Sequence, residues 1–251
     1  MPTVKPLRRS KPKLESSLKP NGAAFPQEPH LANQDWLEVL KIHRAIAVIR
    51  TDDIALGRDM AKAVAAGGCR LIEVTWNSDR PGTLIETLRT ELPHCLIGCG
   101  TLLSLADLKL AILAGIQFAF MPHTDAEMIQ YGRDRQIPMH PGTLTPTEIV
   151  TAWNAGASAV KVFPVGAVGG VDYIRRLQAP LDRIPLIPTG GVTLENARAF
   201  IEAGAIALGL AEDLFPPASV QQRDWQAITN RMQNLVHSLQ TQQTTSPSMA
   251  L

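Results

Sequence analysis

Ser158-Ala-Val-Lys-Val-Phe-Pro-Val-Gly166 reads as a buried β-strand with a lysine in its middle. An ammonium among Val160, Val162 and Phe163 gives up hydration that apolar neighbours do not replace. Two readings follow. Either this is a strand end whose lysine stem reaches out to water, or the amine is held in apolar surroundings so that it is an uncharged nucleophile at neutral pH. The segments on either side of the strand decide the fold, and the fold then decides the lysine.

Between about residues 44 and 215, apolar runs alternate with helix-compatible segments. The strand candidates are 45–50 (AIAVIR), 70–76 (RLIEVTW), 96–100 (LIGCG), 117–121 (QFAFM), 137–140 (IPMH), 158–163 (SAVKVF), 185–189 (PLIPT) and 205–210 (AIALGL). Eight strands, each followed by a helix, predict an α/β fold, a closed parallel (β/α)8 TIM barrel. Ala-Gly recurs before strands at Ala66-Gly67, Ala114-Gly115, Ala155-Gly156 and Ala203-Gly204, where glycine suits a left-handed helix end. Thr124 with Glu127, Thr145 with Pro146 and Glu148, and Ser104 with Asp107 have capping spacings. An open doubly wound sheet is the alternative, but no Gly-x-Gly-x-x-Gly turn follows the first strand. A helix over 33–42 is expected to cap one barrel end, and a last helix spans 224–239.

The barrel is expected over 33–240, between a basic, proline-rich tail (1–32) and a polar tail (241–251). Residues 1–30 hold six Lys/Arg and two acids, without an apolar periodic segment, and read as disordered. Across the whole chain the formal charge is only +1, with 45% hydrophobic and 19% charged residues. That balance supports a sizeable core and gives no sign of a nucleic-acid or membrane partner. No run approaches transmembrane length. Cys69, Cys95 and Cys99 suggest small buried thiols rather than a disulfide framework, and point to a reducing, cytoplasmic compartment.

Strand side chains alternate between faces. Ile46, Val48 and Arg50 therefore share a side, as do Leu71, Glu73 and Thr75, and Ala159, Lys161 and Phe163. If these faces point inward, Arg50, Glu73 and Lys161 converge near the carboxyl ends of their strands, where barrel enzymes build active sites. Thr101, His140 and Thr189 occupy comparable positions. Singly, each charged residue has a structural explanation; three on apolar strands at one end point to function, because a barrel interior tolerates charge only when the groups pair or act. A neutral lysine attacks a ketone or aldehyde carbonyl and, losing water, gives an iminium ion. That cation is an electron sink, so a carbon–carbon bond one position away breaks without a metal. A carboxylate serves the proton transfers, and an arginine fork suits a substrate carboxylate. Arg50 lowers the lysine pKa and an ionised Glu73 raises it; the sequence leaves open which wins.

The motifs LIEVTW, IGCGT, PMHPG, VKVFP and PTGGV, in this order and spacing, resemble those of the 2-keto-3-deoxy-6-phosphogluconate / 4-hydroxy-2-oxoglutarate aldolases. The resemblance covers about 40–216. It implies a metal-free, cofactor-free Schiff-base enzyme acting on a small 2-oxo acid, assembled as a homotrimer. It also implies Lys161 as the imine-forming lysine and Glu73 as the acid/base. Thr101 would contact substrate and Phe163 would pack beside the iminium, with Pro122 and His123 of MPHTD also at the substrate. Thr189, Gly190 and Gly191 would receive the far end of the substrate, their backbone N–H groups at a helix start suiting an anion.

Two positions depart from the family pattern. Many members carry an arginine two residues after EVT to grip a carboxylate; here Asn77 stands there, and Arg50 and His123 resemble another branch in which Arg50 takes that part. After the last strand, Ala211 and Glu212 replace a Gly-Ser pair that helps bind phosphate. A carboxylate beside a phosphate repels unless it points away. The expected reaction is cleavage of a 4-hydroxy-2-oxo acid to pyruvate and an aldehyde, glyceraldehyde 3-phosphate or glyoxylate. Non-phosphorylated 2-oxo acids are the alternative, with oxaloacetate decarboxylation among the reactions. Two further readings are a metal-dependent lyase using Glu73, His123 and His140, and a non-catalytic anion-binding barrel.

Overall fold

The computed structural model describes residues 33–240; both expected tails lie outside the described residues. The chain runs α1 (Asn33–His43), β1 (Ala45–Ile49), α2 (Ile54–Ala66), β2 (Leu71–Thr75), α3 (Pro81–Glu91), β3 (Leu96–Gly100), α4 (Leu105–Leu113), β4 (Ala119–Phe120), α5 (Ala126–Arg133), β5 (Met139–His140) and β6 (Gly142–Thr143). It continues with α6 (Pro146–Asn154), β7 (Val160–Val162), α7 (Val171–Gln178), β8 (Leu186–Pro188), α8 (Ala197–Glu202), β9 (Leu208–Leu210), α9 (Pro217–Gln221) and α10 (Trp225–Gln240). All eight expected strand regions form strands.

The pairing is parallel throughout, in one sheet ordered β5-β4-β3-β2-β1-β9 and another ordered β6-β7-β8. Beyond the expected fifth strand (137–140), the chain resumes pairing as β6 after Pro141, which has no N–H for the ladder. Its carbonyl still accepts from Lys161 N at 3.0 Å, and Ser158 N donates to Met139 O at 2.9 Å. Between β8 and β9, Thr189 bridges Gly209 in parallel.

The inner and outer faces follow the parity read from sequence. Toward the helices point Ala47, Ile49, Ile72, Val74, Ile97, Cys99, Val160 and Val162. Ile46, Leu71, Phe118, Phe120, Ala159, Ile187 and Ala207 form a separate buried cluster on the opposite face, with Trp36 and Leu40 of α1 packed into it. On that face β3 contributes Leu96 at its start and then Gly98 and Gly100. A Cβ on Gly98 would lie 2.2 Å from the Phe118 ring. Gly98→Ala is therefore expected to destabilise the fold by about 1–3 kcal/mol through overpacking, read by chemical denaturation.

Most helix signals sit where expected. Thr145 and Glu148 form a reciprocal capping box, and Ser104 caps α4. At α5 the cap falls one residue later than read: Asp125 accepts from Met128 N, while the Thr124 hydroxyl donates to Gly142 O. Gly115, Gly156 and Gly204 take the left-handed conformation, but after α2 that part falls to Gly68 (φ 97°) rather than Gly67 (φ −75°).

Candidate active site

Parallel register sets Glu73 of β2 beside Val48 on one flank and Gly98 on the other, and Lys161 of β7 between Gly142 and Ile187. Both side chains are buried, Glu73 at 2% and Lys161 at 6% exposure, whereas Arg50, one residue beyond β1, is exposed. The Lys161 Nζ lies 5.0 Å from the Phe163 ring centre and 5.6 Å from that of Phe120. Thr143 Oγ1 donates to the Lys161 carbonyl at 2.9 Å, so β6 holds the lysine backbone by a side chain as well as by the ladder.

Gly100 makes the space for the carboxylate: a Cβ there would meet Glu73 Oε1 at 1.6 Å. Lys161 and Glu73 influence each other electrostatically. Among the described residues, however, neither belongs to an ion pair within 4.0 Å. Burial pushes the Lys161 amine below the ordinary lysine value, against Glu73, which favours the ammonium; Arg50 adds to the lowering. Burial likewise raises Glu73 above the ordinary carboxylate value, against the pull of Lys161 and Arg50. Of the two charged neighbours weighed from sequence, Glu73 acts on Lys161 more strongly than Arg50, but burial outweighs both, and each of the pair moves toward its uncharged form.

The remaining expected residues lie on neighbouring loops at the carboxyl ends of the strands. Thr101 follows β3 with φ 58°, an uncommon backbone for a β-branched residue of the kind found at functional sites. Pro122 and His123 follow β4, where His123 O accepts from Gly142 N at 3.2 Å. Thr189 is buried, and Gly190 O accepts from Gly166 N at 2.8 Å, tying the loops after β7 and β8 together. Among the described residues, no side-chain hydrogen bond links Thr101, His123 or Thr189 to Lys161 or Glu73. Sequence reading missed Phe120, although parity in QFAFM places it on the lysine side. It also missed Thr51, whose backbone N donates to Ser78 Oγ at 3.2 Å while its carbonyl accepts from Asp79 N at 2.9 Å. These bonds staple the loop carrying Arg50 to the loop after β2.

The alternative metal reading fails at His140. His140 is not available as a metal ligand, because Nε2 accepts from Trp36 Nε1 at 2.8 Å and Nδ1 donates to Ala119 O at 2.9 Å. Fully buried, it is pushed down to a pKa of about 3 and is a neutral core group. Among the described residues, no three His, Cys, Asp or Glu side chains are grouped to hold an ion. At the helix start after Thr189, some backbone donors are already taken. The N–H groups of Thr193, Leu194 and Asn196 already have acceptors in Asn196 Oδ1, Asp213 Oδ2 and Thr193 Oγ1. One of these acceptors is a carboxylate, with exposed Glu212 beside it. The Gly190 and Gly191 amides are not among these occupied donors.

A family model for KDPG and KHG aldolase matches residues 37–231. The 2-dehydro-3-deoxy-phosphogluconate aldolase of Pseudomonas aeruginosa is 32% identical over 182 residues, 72% of this chain and 83% of that one. The KHG/KDPG aldolase of Escherichia coli is 30% identical over 170 residues, 68% of this chain and 80% of that one. Among solved structures, the KDPG aldolase of Legionella pneumophila, described with pyruvate captured as a covalent carbinolamine, superposes with a TM-score of 0.74 at 24% identity. That match covers 79% of this chain and 97% of the other. On these grounds the chain belongs to the KDPG and KHG aldolase family and is a carbon–carbon lyase.

Proposed function

We propose that this chain cleaves 4-hydroxy-2-oxo acids to pyruvate and an aldehyde through an imine on Lys161. The observation that carries the reading is a buried lysine and a buried glutamate facing the same interior, unpaired, each displaced toward its neutral form. The neutral Nζ adds to the C2 carbonyl carbon; Glu73 in its acid form protonates the departing hydroxyl, so loss of water from the carbinolamine leaves the iminium and an ionised Glu73. Glu73 takes the proton from the 4-hydroxyl as the C3–C4 bond breaks; the aldehyde departs and the bonding pair enters the iminium to give an enamine. Glu73 returns the proton to C3, and water hydrolyses the imine to free pyruvate and Lys161. Arg50 and Thr101 hold the substrate carboxylate, Phe163 covers the imine, and Pro122, His123, Thr189, Gly190 and Gly191 line the rest of the site.

The same reading takes the two sheets as one closed (β/α)8 barrel over 33–240 capped by α1. The Thr189–Gly209 bridge and the backbone bonding across Pro141 support this. A cytoplasmic homotrimer fits as well. Leu103, Leu110 and Leu113 are 61%, 46% and 77% exposed on and beside α4, an apolar face that a second copy would cover. Among the described residues, no helix is long and apolar enough to cross a membrane.

A specific observation favours non-phosphorylated substrates. Asp213 occupies Leu194 N, Glu212 stands beside it, and both repel a phosphate dianion more strongly than a single carboxylate. The test is kcat/KM for 2-dehydro-3-deoxy-6-phosphogluconate, 4-hydroxy-2-oxoglutarate and oxaloacetate. The expected result is a preference of about tenfold or more for 4-hydroxy-2-oxoglutarate over the phosphorylated acid, about 1.4 kcal/mol of differential transition-state binding, narrowed by Glu212→Ser. A clear preference for the phosphorylated acid would refute the substrate assignment, and no turnover of any of the three would refute the aldolase reading.

A further inference from the structure

We propose that Trp36 and His140 are positioning residues for the reaction: α1, through the Trp36–His140 hydrogen bond, fixes the aromatic floor against which the Lys161 amine rests. The inference rests on the reading of Lys161 as the nucleophile. It starts from a buried histidine and a buried tryptophan that the proposed chemistry does not use. Phe120, whose ring centre is 5.6 Å from Lys161 Nζ, stacks on the His140 imidazole at 4.2 Å with 17° between the planes. The imidazole is held at both nitrogens, by Trp36 Nε1 at 2.8 Å and by Ala119 O at 2.9 Å. Phe118 packs edge-on to Phe120 at 5.9 Å and lies 5.3 Å from the Trp36 ring. All four side chains are 0–1% exposed.

One imidazole therefore links α1 to the wall of the lysine's pocket. Since the Ala119 carbonyl only accepts, Nδ1 carries the hydrogen and Nε2 presents its lone pair to Trp36. That bond occupies the atom a proton would need, so no cation forms behind Phe120. The ionisable groups facing Lys161 are then Glu73 from β2, Arg50 from beyond β1 and the neutral His140 from β5. Without the Trp36 donor, the imidazole keeps only its bond to Ala119 O, and its unpaired Nε2 draws water. The floor under Nζ loosens, the ammonium is rehydrated, and less neutral amine stands ready at pH 7.

The test reads the amine directly. Trace acetylation of the intact protein across pH, quantified on the Lys161 peptide by mass spectrometry, gives the titration of Nζ without turnover. Trp36→Phe and His140→Leu are expected to move that titration upward by about one pH unit, a tenfold loss of neutral amine below it. His140→Gln, which keeps an acceptor within reach of Trp36, is expected to recover most of the wild-type titration. Folded Trp36→Phe and His140→Leu variants that titrate as the wild type does would overturn the proposal. Should neither of these fold, Phe120→Leu replaces them: an upward shift supports the floor and an unchanged titration overturns it. Failure of pyruvate to be trapped on the wild-type enzyme would count against Lys161 as nucleophile, while the labelling still decides the positioning claim.

Discussion

Replacing Lys161 by methionine is expected to lower kcat/KM for 4-hydroxy-2-oxo acids by about four orders of magnitude or more while the chain still folds. The loss follows from removing the only atom that the proposed chemistry bonds to substrate; what survives is binding and proton transfer alone. The same substitution makes a stability prediction of definite sign. Burial lowers the folded-state pKa of Lys161 below its ordinary 10.5. Between those two values the unfolded chain holds more protons than the native one, so stability rises with pH through that window, and below it the native state bears the full cost of a buried ammonium. Methionine of similar length removes the cost, offset in part because Glu73 loses a favourable neighbour. The variant is therefore expected to melt no lower than the wild type at neutral pH. A Tm lowered by many degrees would mark Lys161 as a structural cation instead.

Glu73→Gln is expected to lower kcat by about 10²–10⁴, the usual share of a positioned acid/base. Because burial raises the Glu73 pKa above 4.5, the acid limb of the kcat profile should lie above the ordinary carboxylate value and vanish in the glutamine variant. Persistence of that limb unchanged would assign the proton transfers to another group. Gly100→Ala approaches the same point from the other side. Its Cβ would come within 1.6 Å of Glu73 Oε1 and must displace the carboxylate, so it should depress kcat far more than a surface glycine substitution does. Rate–pH profiles of both variants separate a displaced carboxylate, which keeps a shifted limb, from an absent one.

The strands were legible because apolar runs of four to seven residues alternate with capped helical segments. Parity, with the assumption that these faces point inward, then put Glu73 and Lys161 on one face. The break between β5 and β6 at Pro141 follows from a missing N–H and was readable in principle. The cap at Asp125 was not, because Thr124 and Asp125 are both competent and only the backbone chooses between them. What stayed hidden depends on register across the sheet. Gly98 and Gly100 read as small strand residues until the Phe118 ring and the Glu73 carboxylate are seen filling their places. His140 read as a candidate ligand until Trp36, 104 residues away, was seen to hold its lone pair. The donors after Thr189 looked free until Asp213 was found on one of them.

The central claim is that the Lys161 amine condenses with a 2-oxo acid. Incubation with pyruvate and borohydride, followed by peptide mapping, tests it most directly. A reduced pyruvate adduct on the peptide containing Lys161, absent from Lys161→Met, is the predicted result. Wild-type protein that turns over substrate yet carries no adduct there, or carries it on another lysine, would contradict the account.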